Sequence, residues 1–417
     1  MPRQRIIVIG AGAAGLMAAG QAAHAGAEVF LIEKKARPGL KLGLTGNGRC
    51  NITNAAPLVD FLDHYGSGGP FLRQAFARFF SSELAEFFDS FGINLVAEDD
   101  GRVFPASGGA DLVIDILINW VKRRGVHILT GMPVERLHLE QNRVVGVVAH
   151  GKIQAAKTVI IATGGASYPA TGSTGDGYRL AKSVGHRIVP IQPSLVPLII
   201  AGGMARELKG LALKYVVARL LIDSKAQRQT RGEVLFTHYG VSGPTVLSLS
   251  RWAVAALREH RQVSLSIDLL PEYTEQELNH HLIRESAAHG RQKARTILRS
   301  LLPDSLIAAA MSITGINPDI RGNQITAVQR GGLIARIKNF RLDITGHRPL
   351  AEAMVTAGGV DTKEVDPRTM ASGLAPGLYF AGEVLDIDGD TGGFNLQAAF
   401  STGWVAGRSA GEYASCE

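Results

Sequence analysis

Apolar residues occur in short continuous runs near both ends of the chain. Residues 6–9, 28–32, 158–162 and 378–381 are such runs, apart from Glu28 and Thr158 at the start of two of them. Continuous apolar runs are typical of parallel strands that are buried on both faces of a sheet. Residues 13–25, between the first two runs, favour a helix. This alternation predicts a doubly wound α/β fold with a parallel, Rossmann-like sheet.

Three glycines follow the first predicted strand with the spacing G-x-G-x-x-G, at Gly10, Gly12 and Gly15. Gly10 permits the tight turn, Gly12 lets the backbone approach a pyrophosphate, and Gly15 lets the helix pack on the strand. The free N–H groups of the first helical turn attract that pyrophosphate. Glu33 ends the second strand, where an acid can accept the hydroxyls of an adenosine ribose. The order of these features favours a dinucleotide site over a purely structural turn.

A second glycine-rich stretch lies near the C-terminus. The strand at 378–381 ends at Gly382 and Glu383, and Gly393 precedes a predicted helix at 395–410. Glu383 could bond a ribityl hydroxyl, with support from Asp386. The helix N-terminus could face the flavin N1–C2=O edge, where reduced flavin carries negative charge that a helix dipole stabilises by ~0.3–1 kcal/mol. The two stretches together predict FAD as the cofactor.

The sequence between these two glycine-rich stretches changes in character from about residue 193 onward. We predict a FAD-binding domain formed by residues 1–192 and 346–417, split by an inserted module at 193–345. The module is predicted to be β-rich at 193–270 and 325–345 and helical at 271–324. Three prolines within 188–205 argue against a membrane helix there and favour a strand or linker entering the module.

Composition narrows the classes of function. The net charge is +7 without a long Lys/Arg run, which favours an ordinary solvated surface over nucleic-acid binding. Cys50 and Cys416 form no C-x-x-C motif, and the 12 histidines show no metal-ligand spacing, so we expect neither a disulfide framework nor a metal. A cofactor strand that begins near Arg5 leaves no room for a signal peptide, so we expect a cytoplasmic protein without membrane association.

Several motifs resemble one family. Residues 39–54, GLKLGLTGNGRCNITN, are similar to the K-x-x-x-S/T-G-x-G-R-C-N-x-T-N signature of BaiN-like flavoproteins. The elements GRVFP at 101–105, GGASYP at 164–169, GSTGDG at 172–177, FTHYGVSGP at 236–244 and TAGGV at 356–360 match others of that family. Asn47 stands where the family favours glycine. The resemblance implies a FAD domain of the glutathione-reductase type, interrupted by a small β-barrel and a helical module.

The position of residues within these motifs predicts which of them contact FAD. Lys41 and Arg49 are cations suited to a phosphate or to reduced flavin; the alternative is that they are solvated loop charges. The predicted cofactor contacts are Gly10, Gly12, Ala14, Gly15, Glu33, Lys34, Lys41, Leu42, Thr45, Gly46, Arg49, Cys50, Asn51, Val134, Ala162, Thr163, Gly164, Thr174, Gly382, Glu383, Asp386, Gly393, Phe394, Asn395 and Leu396.

Four residues are candidates for chemistry beyond cofactor binding. Cys50 could relay electrons if its thiol had a low pKa, although a lone cysteine more often packs as a small hydrophobe. His238 could act as a general acid or bind a substrate carbonyl, and Tyr168 and Arg102 could do the same. Interdomain hydrogen bonding is the alternative role for these last three residues.

The leading hypothesis is an FAD-dependent oxidoreductase that acts on a small organic substrate by hydride transfer through flavin N5. The sequence shows no second nucleotide-binding motif. NAD(P)H would therefore bind only transiently, or oxygen would be the oxidant. We favour an NAD(P)H-linked reductase. Family members described as aminoacetone oxidases and as bile-acid enone reductases leave the substrate open. A flavoprotein that modifies or binds tRNA through the basic segment 284–299, and a flavin-bound sensor without turnover, are the alternatives.

Overall fold

The structure is a computed structural model that describes residues 4–317 and 319–415. Cys416 lies outside the described residues. The strands are β1 Arg5–Ile9, β2 Glu28–Ile32, β3 Thr53–Asn54, β4 Leu95–Ala97, β5 Arg102–Pro105, β6 His127–Leu129, β7 Val134–Glu140, β8 Arg143–Ala149, β9 Lys152–Ala155, β10 Thr158–Ile161, β11 Ile188–Ser194, β12 Leu198–Ile200, β13 Ala212–Ile222, β14 Lys225–Phe236, β15 Gly240–Ser242, β16 Val263–Asp268, β17 Phe340–His347, β18 Val355–Val360 and β19 Leu378–Phe380. The helices are α1 Ala13–His24, α2 Leu40–Gly43, α3 Leu58–Asp63, α4 Gly69–Phe76, α5 Ser81–Asp89, α6 Gly109–Arg123, α7 Asp176–Lys182, α8 Met204–Glu207, α9 Pro244–Arg258, α10 Glu275–His289, α11 Ala294–Leu298, α12 Asp304–Thr314, α13 Ala327–Lys338 and α14 Phe394–Ser415.

Residues 4–194 and 350–415 form one compact unit, called here the first unit. Its centre is a five-stranded sheet with the order β19–β10–β1–β2–β6, in which all neighbouring strands are parallel. The central strand β1 is buried from Ile6 to Ile9, which explains its continuous apolar run. The predicted α/β class with a Rossmann-like parallel sheet is confirmed.

Helices α1 and α14 pack against each other through small residues. A Cβ added to Gly403 would lie 2.4 Å from the carbonyl oxygen of Ala14, and one added to Gly407 would lie 2.2 Å from that of Ala18. The two backbones therefore touch, and the ascending order of both contacts makes the helices parallel. Both helices consequently point their N-termini toward the same end of the unit.

Residues 195–349 form the second unit, which has its own apolar core. Six strands close into a barrel with the order β12–β15–β14–β13–β16–β17. Helix α9 packs against β14, and α13 contacts β16 and β17. The small β-barrel and the helical module that the family resemblance implied are both present in this unit.

The secondary structure of the second unit corrects one prediction. Residues 325–345 were expected to be β-rich, but Ala327–Lys338 is helical, and so is Pro244–Arg258 within 193–270. The Thr326 side chain accepts a hydrogen bond from the Gln329 N–H and the Gln329 side chain bonds back to Thr326, which forms a capping box. The unit boundaries lie at 194/195 and 349/350, against the predicted 192/193 and 345/346.

Among the described residues, no helix is both long enough and apolar enough to cross a membrane. The apolar stretch with three prolines forms strands β11 and β12 instead.

Candidate cofactor and active site

A cleft of about 1330 Å³, which includes space open to solvent, lies in the first unit. It opens where the parallel strands end at their carboxyl termini, the usual ligand position in an open α/β sheet. Segments from both ends of the chain line it. The predicted cofactor contacts that line it are Gly10, Gly12, Ala14, Glu33, Lys34, Lys41, Leu42, Thr45, Val134, Ala162, Thr163, Gly164, Gly382, Glu383, Asn395 and Leu396.

The glycine turn shapes one end of this cleft. Gly10 has a φ of +98°, and a Cβ there would lie 2.6 Å from the carbonyl oxygen of Ala162. A Cβ on Gly15 would lie 1.8 Å from the carbonyl oxygen of Gly10, whereas a Cβ on Gly12 would have no neighbour within 4 Å. Gly12 is the N-cap of α1 without a side-chain cap, so the first-turn N–H groups of the helix are left for a ligand. The space beside Gly12 fits a pyrophosphate.

Glu33 is held rigidly at the end of β2. Its Oε2 accepts a hydrogen bond of 2.9 Å from the Ala11 N–H, and its Oε1 accepts one of 2.8 Å from the Lys35 N–H. The carboxylate keeps further lone pairs for a ribose, since each ionised carboxylate oxygen accepts more than one bond.

The loop at residues 172–177 is tied to the end of β2 by Lys34. The Lys34 ammonium lies 2.5 Å from Asp176 Oδ2 and also donates to the Thr174 hydroxyl. Burial acts to raise the pKa of Asp176, but the bonds from Lys34 and Thr174 outweigh burial and hold that pKa below its usual value. Gly172, Ser173 and Asp176 of this loop line the cleft, whereas Thr174 does not.

Lys41 joins the two ends of the chain inside the cleft. Its Nζ lies 2.7 Å from Glu383 Oε2 and donates to Ser167 Oγ at 2.7 Å. Glu383 Oε1 accepts a bond of 2.9 Å from the Thr356 N–H. The Thr356 hydroxyl oxygen accepts bonds from the N–H groups of Ala166 and Ser167. This network fixes an ion pair that is largely shielded from solvent beside the strand ends.

The N-terminus of α14 lies at the other end of the cleft. The Asn395 side chain accepts from the Gly389 N–H and donates to the Gly389 and Asp390 carbonyl oxygens, which holds the preceding turn in place. The first backbone bond of the helix runs from Gln397 N–H to the Gly393 carbonyl, so the N–H groups before it remain for a ligand.

His64 was missed by the sequence analysis. Its Nδ1 lies 2.9 Å from Asp390 Oδ2, and its ring stacks on Phe394 with centroids 3.9 Å apart. The pair therefore flanks the N-terminus of α14. No motif marks His64, and Asp390 is 326 positions away in sequence.

Arg49 and Arg102 lie together outside the cleft lining. Both form ion pairs with Glu98, at 2.6 and 3.1 Å, and both approach the Phe104 ring, at 4.0 and 5.6 Å. Arg102 also pairs with Asp100. The predicted contact of Arg49 with FAD and the predicted catalytic role of Arg102 stay predictions.

Cys50 is fully buried, and burial raises its pKa to about 12. A thiol with a raised pKa holds its proton, which argues against the low-pKa electron relay; that role stays a prediction. Cys50 is not part of the cleft lining. Asn51, its neighbour, has a buried Oδ1 without a hydrogen-bond partner among the described residues, which leaves that oxygen to accept a bond from a bound group.

Other predicted residues lie near the cleft without lining it. An added Cβ on Gly46 would lie 3.0 Å from the Asn51 nitrogen, and one on Gly393 would lie 2.9 Å from Asn51 Oδ1, so both glycines permit close packing around Asn51. Burial, Asp388 and Asp361 raise the pKa of Asp386. Gly15 and Phe394 act through packing, as described above.

The remaining catalytic candidates differ in their surroundings. Tyr168 has a φ of +51° and follows Ser167, the partner of Lys41; its carbonyl accepts bonds from Thr171. His238 belongs to an exposed loop of the second unit, and its ring lies 4.6 Å from that of Tyr239. Their catalytic roles stay predictions.

The cleft also includes residues that the sequence analysis did not assign. The loop at 172–177 was recognised as a family element, yet only Thr174 was given a contact. Leu40 lies within the family stretch 39–54 but was given no contact, and Arg37, Met132 and Met354 belong to none of the quoted motifs. Across residues 4–317 and 319–415, no group of three or more His, Cys, Asp or Glu side chains is placed to hold a metal. The unassigned lining residues are Ile9, Ala11, Ala13, Ile32, Arg37, Gly39, Leu40, Met132, Thr171, Gly172, Ser173, Asp176, Leu180, Met354, Val355, Ala381, Ile387, Ala398 and Ala399.

A parallel sheet, a glycine turn, an acid at the second strand end and two helix N-termini around one cleft define a dinucleotide-binding protein of the Rossmann type. The family described as HI0933-like protein Rossmann domain matches residues 4–409, and the chain belongs to this family. The resemblance to BaiN-like flavoproteins is thereby confirmed, and membership places the protein among the FAD-dependent oxidoreductases.

Three relatives are similar over nearly their whole length. The chain is 36% identical to a 3-dehydro-bile acid delta(4,6)-reductase of Clostridium scindens, over 98% of this chain and 99% of the relative. It is 32% identical to a ribosomal RNA dihydrouridine synthase of Escherichia coli, over 97% of each chain. It is 33% identical to a ribosomal RNA dihydrouridine synthase of Haemophilus influenzae, again over 97% of each.

Solved structures share the fold at low identity. The open conformation of a flavocytochrome c3 fumarate reductase matches with a TM-score of 0.50 and 18% identity, over 99% of this chain and 78% of that one. A 3-ketosteroid delta1-dehydrogenase of Sterolibacterium denitrificans matches with a TM-score of 0.50 and 14% identity, over 99% of this chain and 100% of that one.

Proposed function

We propose that the protein is an FAD-dependent reductase that adds two hydrogens across a C=C bond conjugated to a carbonyl group, with NAD(P)H as the electron source. The observation that carries the proposal is the convergence of a pyrophosphate space at Gly12, a ribose acceptor at Glu33 and the Lys41–Glu383 pair in one cleft. Both kinds of relative support the reaction type by their names.

The residues of the cleft fit the parts of FAD. Gly12 and the first turn of α1 would hold the pyrophosphate, and Glu33 would accept the adenosine ribose hydroxyls. Glu383 is placed for the ribityl chain, and the α14 terminus for the flavin edge that becomes negative on reduction. When bound, FAD would supply hydride transfer through N5.

The two substrates named for the relatives share one reactive unit. A 3-oxo steroid with delta(4,6) unsaturation and a uracil ring both contain a C=C bond conjugated to a carbonyl group. Reduction delivers a hydride to the carbon remote from the carbonyl and a proton to the adjacent carbon. The protein must therefore hold the carbonyl oxygen and provide the proton. Tyr168 and His238 remain our candidates for these two tasks.

A small organic substrate is the first candidate. Leu40 and Met354 both line the cleft although their side chains are 37% and 42% exposed. Large apolar side chains at a cleft opening are typical of sites that bind an apolar ligand. A hydrophobic enone suits this environment.

A uridine of ribosomal RNA is the second candidate, and the names of two relatives favour it over the tRNA alternative. The observation that favours it is the distribution of charged residues between the two units. Residues 195–349 contain 21 Lys and Arg against 12 Asp and Glu, whereas the rest of the chain contains 23 against 25. An excess of cations on one unit favours a polyanionic partner, because phosphate contacts release counterions.

Anaerobic stopped-flow absorbance at the flavin band tests the proposal. We expect NADH or NADPH to bleach the flavin, and an enone or a uridine-containing RNA to restore it. Bleaching by an amine or amino-ketone, with none by NAD(P)H, would instead indicate an oxidase. Stable FAD that neither NAD(P)H nor a substrate reduces would support the sensor alternative and refute the reductase.

The matched variants are Gly12→Val and Gly332→Ala. Valine at position 12 fills the space assigned to the pyrophosphate, so FAD should be lost on purification. A Cβ on Gly332 in α13 would contact nothing within 4 Å, so this control should keep its FAD. Retention of FAD by Gly12→Val would refute the assigned position of the pyrophosphate.

A further inference from the structure

We propose that the hairpin β13–β14 of the second unit binds single-stranded RNA, with Tyr215 as a stacking surface for a base and nearby cations as phosphate ligands. The inference rests on the second candidate substrate under the proposed function. It goes further because it assigns the RNA contact to a particular surface, which differs from the segment 284–299 that the sequence analysis named as an alternative.

The basic segment 284–299 is a weaker candidate for binding phosphates because three of its five cations are paired with acids. Lys293 and Arg295 lie 2.8 and 3.5 Å from the same carboxylate oxygen of Asp319. Arg299 makes two bonds to Asp304, at 2.7 and 3.1 Å. The positive charge of this segment is therefore partly neutralised by acids that lie beyond it. Among the described residues, Arg284 and Arg291 make no ion pair with an acid.

The hairpin presents cations of a different kind. Among the described residues, no ion pair with an acid is made by Lys214, Arg219, Arg228 or Arg231. All but the half-buried Arg219 are exposed. Arg219 donates to the Gln229 side chain, and Arg228 lies 4.7 Å over the Trp252 ring. Glu233 is the acid within the two strands. The hairpin therefore keeps a net positive charge available to a ligand.

The strand register places some of these cations on one face. Val217 pairs with Arg231, and Arg219 pairs with Gln229. Directly paired residues of antiparallel strands share a face, and residues two positions apart in one strand do so as well. Arg219 and Arg231 are thus diagonal neighbours. A spacing of this kind suits successive phosphates of a nucleic-acid strand.

Tyr215 lies at an irregularity of the same hairpin. The register shifts between Leu213 and Val216, and the two residues between them are both exposed. Tyr215 is 73% exposed and has a φ of +62°. The left-handed region is unfavourable for a bulky residue, and bulges redirect side chains. The fold thus holds a large aromatic ring outward, next to Lys214, instead of burying it.

Among the described strands of the barrel, β16 does not offer such a face. Ser264, Ser266 and Asp268 of β16 are buried, and α13 contacts this strand. Lys338 at the end of α13 pairs with Asp268 at 2.8 Å. The β13–β14 hairpin remains as the exposed cationic part of the sheet. An aromatic ring among unpaired cations is the combination that binds single strands with little sequence preference.

Fluorescence anisotropy of a labelled oligouridine with the FAD-loaded, full-length protein tests the proposal at about 50 and 200 mM KCl. We expect Tyr215→Ala to weaken binding about tenfold with little change in salt dependence. Tyr215→Phe, which keeps the ring, should bind like the wild type. Arg231→Gln should weaken binding and lower the slope of log affinity against log salt by about 0.7. Arg299→Gln is the matched control and should change affinity less than twofold.

The flavin absorbance and its bleaching by NAD(P)H are recorded on the same samples, so loss of folding or of reductase activity is seen separately. Wild-type protein that bleaches but binds no oligouridine would overturn the RNA surface and leave the reductase intact. Unchanged binding in both Tyr215→Ala and Arg231→Gln would also overturn it, as would binding to vesicles of anionic phospholipid in place of RNA.

Discussion

The first and second units differ in what forms their candidate sites. In the first unit, glycines and helix N-termini form the cleft, so the backbone itself is the binding surface. In the second unit, exposed Lys, Arg and Tyr side chains on a barrel form the surface proposed for RNA. A binding surface formed by the backbone has no space for the side chain that replaces a glycine. A surface formed by exposed side chains loses only the contact of the residue that is substituted. Substitutions of the glycines that form the cleft should therefore act almost all-or-none, whereas substitutions of surface side chains in the second unit should act by degrees.

The largest effect is expected from Gly15→Ala. The added Cβ would lie 1.8 Å from the carbonyl oxygen of Gly10, and neither backbone can move without separating α1 from β1. We expect destabilisation by about 3 kcal/mol and loss of FAD. Flavin absorbance after purification and thermal unfolding measure both. Gly332→Ala is the control, because its Cβ meets no atom within 4 Å. Full FAD content in Gly15→Ala would contradict the backbone-defined site.

Lys41→Met tests a side chain within the backbone-defined cleft. The substitution removes the ammonium group that lies 2.7 Å from Glu383. The two side chains of this ion pair are about four-fifths shielded from solvent. We expect a loss of about 1–2 kcal/mol in FAD binding, or about tenfold or more in dissociation constant. Isothermal titration of the apoprotein with FAD measures it, and Lys152→Met on exposed β9 serves as the control. A loss of FAD binding as complete as that expected for Gly15→Ala would contradict the distinction between sites formed by the backbone and sites formed by side chains.

A feature of these sites could be predicted from the sequence when the residues that form it lie close together along the chain. The turn from Gly10 to Gly15 and the acid Glu33 are encoded within one βαβ unit, so their positions could be predicted. The Lys41–Glu383 contact spans 342 positions, and only the fold brings the two residues together. Each residue was predicted to contact the cofactor, but their pairing was not.

The second unit was harder to predict, and its errors have local causes. The helix at 327–338 contains Gly331 and Gly332, which weaken the helical signal, although the capping box at Thr326 was visible in the sequence. Part of the positive charge of the segment 284–299 is offset by Asp304 and Asp319, which lie outside it. Charge counted along a chain does not reveal how the fold pairs it.

Cys50→Ala separates packing from redox chemistry in the first unit. Because the thiol is buried and its pKa is raised to about 12, we expect NAD(P)H to bleach the flavin within about twofold of the wild-type rate. Stability should fall by about 1 kcal/mol, since a small buried group is removed. Stopped-flow absorbance and denaturant unfolding measure the two quantities. A loss of bleaching with FAD still bound would restore the redox role that burial argues against.

The smallest effect is expected from Asp176→Asn, and it depends on pH. Lys34 and Thr174 hold the pKa of Asp176 below its unfolded value of about 3.9 despite burial. A depressed carboxyl pKa contributes stability that is fully present above the unfolded pKa and is lost as the pH falls through the folded pKa. Because the side chain is 39% exposed, the contribution should stay below about 1 kcal/mol.

Denaturant unfolding at several pH values measures this difference. The wild-type advantage over Asp176→Asn should be constant above about pH 5 and should vanish below the folded pKa. Asp115→Asn on the exposed side of α6 is the control for removing a carboxylate. An advantage that grows as the pH falls would reverse the sign of the argument. The loss of stability expected for Asp176→Asn is much smaller than the loss expected for Gly15→Ala. The difference arises because the Asp176 charge stabilises one loop, whereas the backbone contact at Gly15 is required by the fold.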